Sequence, residues 1–166
     1  MIDVFDELKL RPFYDADIPL MESWLNKDHI KKWYEVPGLC SVEDWLTEIK
    51  GRKVEYLHIT HFIALWDETP VGFCQYYQCS DVGEDWYGDT PLSGTYSIDY
   101  LIGEEKYLRR GIGKSIIALL VRVIFSLSDS ERIIVQPDEE NRASAKSLLS
   151  NGFVFDKLNN VYLKSK

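Results

Sequence analysis

Not one lysine or arginine lies between residues 54 and 105, a stretch that carries ten acids. Such a segment repels a phosphate backbone and attracts cations, which argues against nucleic acid and for a small cationic partner. Solvated loops rich in aspartate are the plain alternative at this point. Cysteine is sparse: Cys40, Cys74 and Cys79 have no CxxC or Cys/His spacing, so they are expected to be reduced thiols holding no metal. His29, His58 and His61 lack metal spacing too and are assigned no catalytic role. No run approaches the roughly 20 apolar residues that cross a bilayer, and the first seven residues have neither a basic n-region nor an apolar h-region. The expectation is a soluble, cytoplasmic monomer or homodimer with no membrane partner. Internal repeats, low-complexity tracts and Pro/Ser-rich linkers are also missing, so residues 1–166 are read as one domain. At 45% hydrophobic residues, such a chain buries about two-thirds of its unfolded surface and needs no staple.

The hydrophobic pattern alternates between two periods. A strand is expected near 8–13, then a helix near 17–26 from the spacing of Ile18, Met21, Trp24 and Leu25, with 29–34 a short, partly helical connection. Ser41 with Glu43 and Asp44 reads as a helix start, ending before Gly51. Strands near 59–66 and 71–79 form a hairpin across Asp67-Glu68-Thr69-Pro70. Residues 80–94 read as a polar, acidic loop carrying Trp86 and Tyr87, and long loops with aromatics often serve function. A strand at 95–102, a helix at 111–127, a strand at 132–136, a helix at 141–151 stopped by Gly152, and closing strands at 153–155 and 161–163 complete a mixed α/β domain.

Residues 106–166 invert the charge pattern, with eleven Lys/Arg against six acids. Within them, Leu108-Arg109-Arg110-Gly111-Ile112-Gly113-Lys114-Ser115 joins a strand to an amphipathic helix. Glycines there let the backbone approach a ligand, and the first helical N–H groups and the helix dipole favour an anion such as a pyrophosphate. Arg109, Arg110 and Lys114 add charge. Neither the Walker A nor the dinucleotide G-x-G-x-x-G spacing is present, and an ordinary glycine turn with a basic helix start stays open.

That turn resembles the R/Q-x-x-G-x-G/A element with which GNAT acetyltransferases hold the pyrophosphate of acetyl-CoA. Asn141 through Gly152-Phe153 is similar to the family's N-x-x-A...Y-x-x-x-G-F helix. Three positions depart: Leu108 stands for Arg or Gln, Ser144 for the small residue, and Leu148 for a tyrosine proposed to protonate the departing CoA thiolate. A thiol of pKa about 8.5 is a fair leaving group even when solvent protonates it. Within the family, the chain most resembles aminoglycoside 6′-N-acetyltransferases, through Leu10-Arg11-Pro12, Trp24-Leu25-Asn26, His29-Ile30, Trp33-Tyr34, Phe62-Ile63-Ala64-Leu65, Pro70-Val71-Gly72, Gln75, Tyr77, Trp86-Tyr87 and Ile98-Asp99. Gln136 and Glu84 stand where those enzymes place aspartates.

The resemblance implies a single-domain GNAT fold with a central, mostly antiparallel sheet flanked by helices, and acetyl-CoA as cofactor. It implies Asp99 as the group that holds the acceptor ammonium and takes its proton, and the backbone of Leu101, Ile102 and Gly103 as partners of the pantetheine arm. It adds Asn141 and Ser115 to the cofactor side, and Trp33, Tyr34, Glu84, Trp86 and Tyr87 as an acidic, aromatic acceptor wall. The expected activity is acetylation of an amine on a polycationic acceptor, most specifically the 6′-amine of an aminoglycoside, with antibiotic resistance as its role. Other acceptors (a siderophore hydroxylamine, a polyamine, a peptide N-terminus) and a CoA-binding module without turnover are the alternatives.

Overall fold

The computed structural model describes residues 7–166; the first six residues, part of the stretch read above as leaderless, lie outside them. In chain order the elements are β1 (Leu8–Pro12), α1 (Ile18–Leu25), α2 (Asp28–Tyr34), α3 (Val42–Lys50), β2 (Ile59–Trp66), β3 (Thr69–Gln78), α4 (Cys79–Val82), β4 (Thr95–Ile102), α5 (Ile112–Phe125), β5 (Arg132–Val135), α6 (Arg142–Ser150), β6 (Val154–Asp156) and β7 (Val161–Ser165). One sheet runs β1-β2-β3-β4-β5-β7-β6, antiparallel throughout except between β4 and β5. α5 is the crossover between that parallel pair, which antiparallel neighbours do not need. Among the described residues no helix is long and apolar enough to cross a membrane.

Helices cover both faces. On one, Met21, Trp24 and Leu25 of α1, Ile30 of α2, and Leu46 and Ile49 of α3 pack on Ile63, Phe73 and Leu101. On the other, Ile112, Ile116, Ile117, Leu120 and Ile124 of α5 and Leu148 of α6 pack on Ala64, Cys74, Ile98 and Ile133. The expected connection at 29–34 is a full helix, and the expected loop at 80–94 holds α4 and a 3-10 turn at Asp85–Tyr87.

Local chemistry explains the ends. Ser41 and Asp44 form a reciprocal capping box on α3. Gly152, at φ +83°, closes α6 in a Schellman turn, with Phe153 N–H reaching Leu148 O and Gly152 N–H reaching Leu149 O. The β2–β3 hairpin is tighter than expected: Asp67 and Glu68 both take positive φ, as a two-residue primed turn requires, so Thr69 and Pro70 already belong to β3.

Arg11 donates a two-pronged pair of bonds to Asp17, at 2.7 and 2.8 Å, and Tyr14 N–H adds a third at 2.8 Å. Arg11 holds the Asp17 carboxyl below its ordinary range against the opposing effect of burial. Asp17→Asn should therefore cost about 2 kcal/mol at neutral pH. A lowered folded pKa gives stability that is present above about pH 4 and lost as pH falls through the folded value, so urea unfolding should show the two proteins converging in acid.

Candidate active site

The face of the sheet beneath α3 is built from cross-strand rows. Ile63, Phe73 and Leu101 form an apolar row, followed by His61, Gln75 and Asp99, then Ile59, Tyr77 and Ser97. Residues two apart on a strand share a face, so the polar row continues the apolar one toward the edge of α3. A bulge sets this alignment: Leu65 pairs with Pro70 but Ala64 with Gly72, which leaves Val71 as the extra residue.

Above the polar row opens a cleft of about 750 Å³ between α3, the segment after β3 and the parting strands β4 and β5. Asp44, Glu48, Glu84, Asp85 and Asp99 line it, and among the described residues no lysine or arginine does. Asp99 accepts a 2.8 Å bond from Gln75 Nε2. Burial pushes its carboxyl up to about 6; Gln75 opposes the shift, and the charges of Glu48 and Glu84 add to it. A carboxylate so poised is largely ionised at neutral pH yet more basic than an exposed one, which suits accepting a proton.

β4 and β5 pair only at Thr95 with Arg132 and Tyr96 with Ile133; beyond them the two strands part. Gly103 N–H donates to Val71 O at 2.8 Å, so by the two-residue alternation of an antiparallel ladder Leu101 also turns its backbone to β3. The backbone groups of Ile98, Tyr100 and Ile102 turn to the opening instead. This corrects the expected trio of Leu101, Ile102 and Gly103: only Ile102 has its backbone on the open edge. The carbonyls on that edge are partly engaged, Tyr100 O by the Tyr34 hydroxyl and Ile102 O by His29 Nε2 at 3.0 Å.

At the carboxyl end of β4 the glycine turn enters α5. Gly111 takes φ +79° with nothing within 4 Å of the place a Cβ would occupy, and no side chain caps the helix. The N–H groups of Ile112, Gly113 and Lys114 precede the first intrahelical bond, which runs from Ser115 N–H to Gly111 O at 3.1 Å. Arg109, Arg110 and Lys114 are exposed around them, whereas the side chains of Ile112 and Ser115 are buried. Asn141 caps α6 by accepting from Ser144 N–H at 3.1 Å. Leu148 is fully buried, and one turn earlier the Ser144 hydroxyl pairs with Tyr100 Oη at 2.8 Å.

The acceptor wall is only partly the expected one. Glu84 and Trp86 line the cleft, joined by a 2.5 Å bond from the indole N–H. Tyr87 is core, 2% exposed beneath Trp86, because the 3-10 turn points consecutive side chains in different directions. Trp33 lies outside the lining and carries the Lys32 ammonium over its ring. Tyr34 stands behind the wall, its ring edge-on to Trp45. The sequence reading leaves out Asp44, Trp45 and Glu48 of α3, which line the cleft together with Gln75 and Tyr77. Positions 44 and 48, and 45 and 48, are one helical turn apart beside buried Leu46 and Ile49, so a helical-wheel projection of α3 carries the signal.

Comparison with known proteins places this geometry. The family model described as "Acetyltransferase (GNAT) domain" matches residues 14–161. The aminoglycoside N(6′)-acetyltransferases type 1 of Klebsiella pneumoniae and Serratia marcescens are each 26% identical over 153 residues, covering 89% of this chain and 74% of theirs. The structure of AAC(6′)-Ib in complex with paromomycin and acetyl-CoA superposes with a TM-score of 0.79 at 23% identity, over 97% of this chain and 94% of the other.

Proposed function

Because the chain belongs to the GNAT acetyltransferases, we propose that it transfers an acetyl group from acetyl-CoA to an amine of a small polycationic acceptor, specifically the 6′-amine of an aminoglycoside. The observation that carries this reading is Asp99, a raised-pKa carboxylate on the floor of a cleft whose charged lining residues are all acids, beside the opening between β4 and β5. The curated relatives named above share the acceptor class.

The turn fits the cofactor. An open Gly111, free helical N–H groups and three exposed cations suit a pyrophosphate, and the open edge of β4 at Tyr100 and Ile102 suits an amide-bearing arm. Acetyl-CoA, when bound, supplies the acetyl thioester that the amine attacks. The chain's own residues do the rest. The cleft acids draw in the ammonium, Asp99 takes its proton at the carboxylate, and Gln75 holds Asp99 in place. Leu148 offers no proton to a departing thiolate, and a thiol of pKa about 8.5 would be a fair leaving group without one. The three free thiols suit a reducing cytoplasm, and acetylation removes the charge by which an aminoglycoside is held, a chemistry that fits antibiotic resistance.

The test is thiol release from acetyl-CoA by purified protein against aminoglycosides with and without a 6′-amine, spermidine, hydroxylysine and short peptides. Turnover confined to 6′-amino aminoglycosides is expected. Turnover with another amine would reassign the acceptor, and cofactor binding without any turnover would favour a non-catalytic module.

A further inference from the structure

We infer that Glu48, set in place by His61, is a specificity-determining residue that takes a second ammonium of the acceptor, one other than the reactive amine held by Asp99. The inference rests on the reading that the cleft receives a cationic acceptor, and it adds that the acceptor needs two amines to be selected.

The cleft's carboxylates are not equivalent. Asp44 is tied to Ser41 in the capping box, Glu84 to the Trp86 indole, and Asp99 to Gln75. Asp85 is exposed. Glu48 differs from all four: its side chain is only 25% exposed, yet it accepts no hydrogen bond among the described residues. Its inner Oε1 lies 3.9 Å from Nε2 of His61, itself 2% exposed at the side chain, and both atoms lack a hydrogen-bond partner. Behind them Gln75, 2% exposed, leaves its amide oxygen unpartnered while its nitrogen serves Asp99. A partly desolvated carboxylate and an unpaired amide oxygen on one wall are an unbalanced set of acceptors, costly unless a donor completes them.

An alkylammonium has three N–H donors and the matching charge. No lysine or arginine in the lining can supply that from within the described chain, so the complement comes with the ligand. Glu48 and Asp99 line the same cleft, so both carboxylates face one acceptor. A monoamine uses Asp99 alone; a polyamine scaffold engages both, and its second charge contributes to binding without entering the bond change. His61 acts through Glu48 by limiting the rotamers of its carboxylate.

The experiment compares kanamycin with 6-amino-6-deoxyglucose, which carries the reactive amine alone, using wild type and Glu48→Gln. For kanamycin the variant should raise KM roughly ten- to hundredfold and leave kcat within about twofold. For the monoamine, which has no second ammonium to place, the loss in kcat/KM should be at least about fivefold smaller than for kanamycin. His61→Leu should raise KM for kanamycin in the same selective way, and His61→Gln, which keeps a polar nitrogen facing Glu48, should restore much of it. Equal losses for both acceptors, or none for either, would overturn the inference while leaving the acetyltransferase reading intact. Calorimetric binding of kanamycin is measured in parallel. If wild type binds kanamycin without turning it over, the Glu48→Gln affinity decides the inference; if it neither binds nor acetylates kanamycin, both readings fall.

Discussion

Asp99→Asn should lower kcat/KM for the amine acceptor by roughly 10²- to 10⁴-fold, the contribution expected of a positioned general base. Asparagine keeps the shape and can still accept from Gln75 Nε2, so the loss reports proton acceptance and charge rather than misfolding. The wild-type profile of kcat/KM should rise with pH around a midpoint near about 6, because burial, the dominant cause, holds the Asp99 proton more tightly than in an exposed carboxylate. The variant should lose that inflection.

Stability should move the other way. A raised folded pKa means that the native state binds more protons than the unfolded chain between about pH 4 and pH 6, so folding stability from this group falls as pH rises through that window. Asp99→Asn lacks that loss and should be at least as stable as wild type at neutral pH, with the advantage gone below about pH 4. Reduced activity together with undiminished thermal stability is the signature of a group held for chemistry rather than for packing. A variant that lost both would point to a structural role instead.

Gly103→Ala should be among the most damaging single-methyl changes in the molecule. A Cβ there would stand 2.1 Å from Cε2 and 2.3 Å from Nε1 of Trp24, a side chain with no exposed surface. Neither partner can give way easily. Trp24 is wedged between α1 and the sheet with its indole N–H on Glu104, and Gly103 is tied to Val71 by its own N–H. Overpacking of this kind costs about 3 kcal/mol, which for a domain of this length lowers Tm by roughly 6–12 °C. Combining Gly103→Ala with Trp24→Leu, which vacates the contested space, should cost less than the sum of the two single changes, because the residues touch. Strict additivity in urea unfolding would show that the contact does not govern the site.

Much of the fold is legible along the chain. Apolar spacing of 3.6 marks α1 and α5, the Ser41 cap with its first-turn acids marks α3, and Gly152 marks the end of α6 through its need for positive φ. The anion turn is legible for the same reason: Gly111, a helix start and three cations are consecutive, so the chemistry is local. The acceptor side is not. Tyr87 and Trp86 are sequence neighbours with opposite fates, one core and one lining, because a single 3-10 turn separates their directions. Likewise, the backbone partners on β4 follow from which alternate residues bond to β3, a choice made by pairing rather than by residue type.

By itself the sequence determined most of the elements, the glycine turn at α5 and the acidic middle segment, since each depends on residues a few positions apart, and its resemblance to a family singled out Asp99 as the carboxylate to examine. Only the tertiary structure decided that Asp99 stands in line with Gln75 and His61 beneath Glu48. That line depends on one extra residue, Val71, in β3; without the bulge His61 would face Cys74. Side chains on a strand alternate with period two, so a shift of one position exchanges the cleft face for the core face, and no nearby residue announces it.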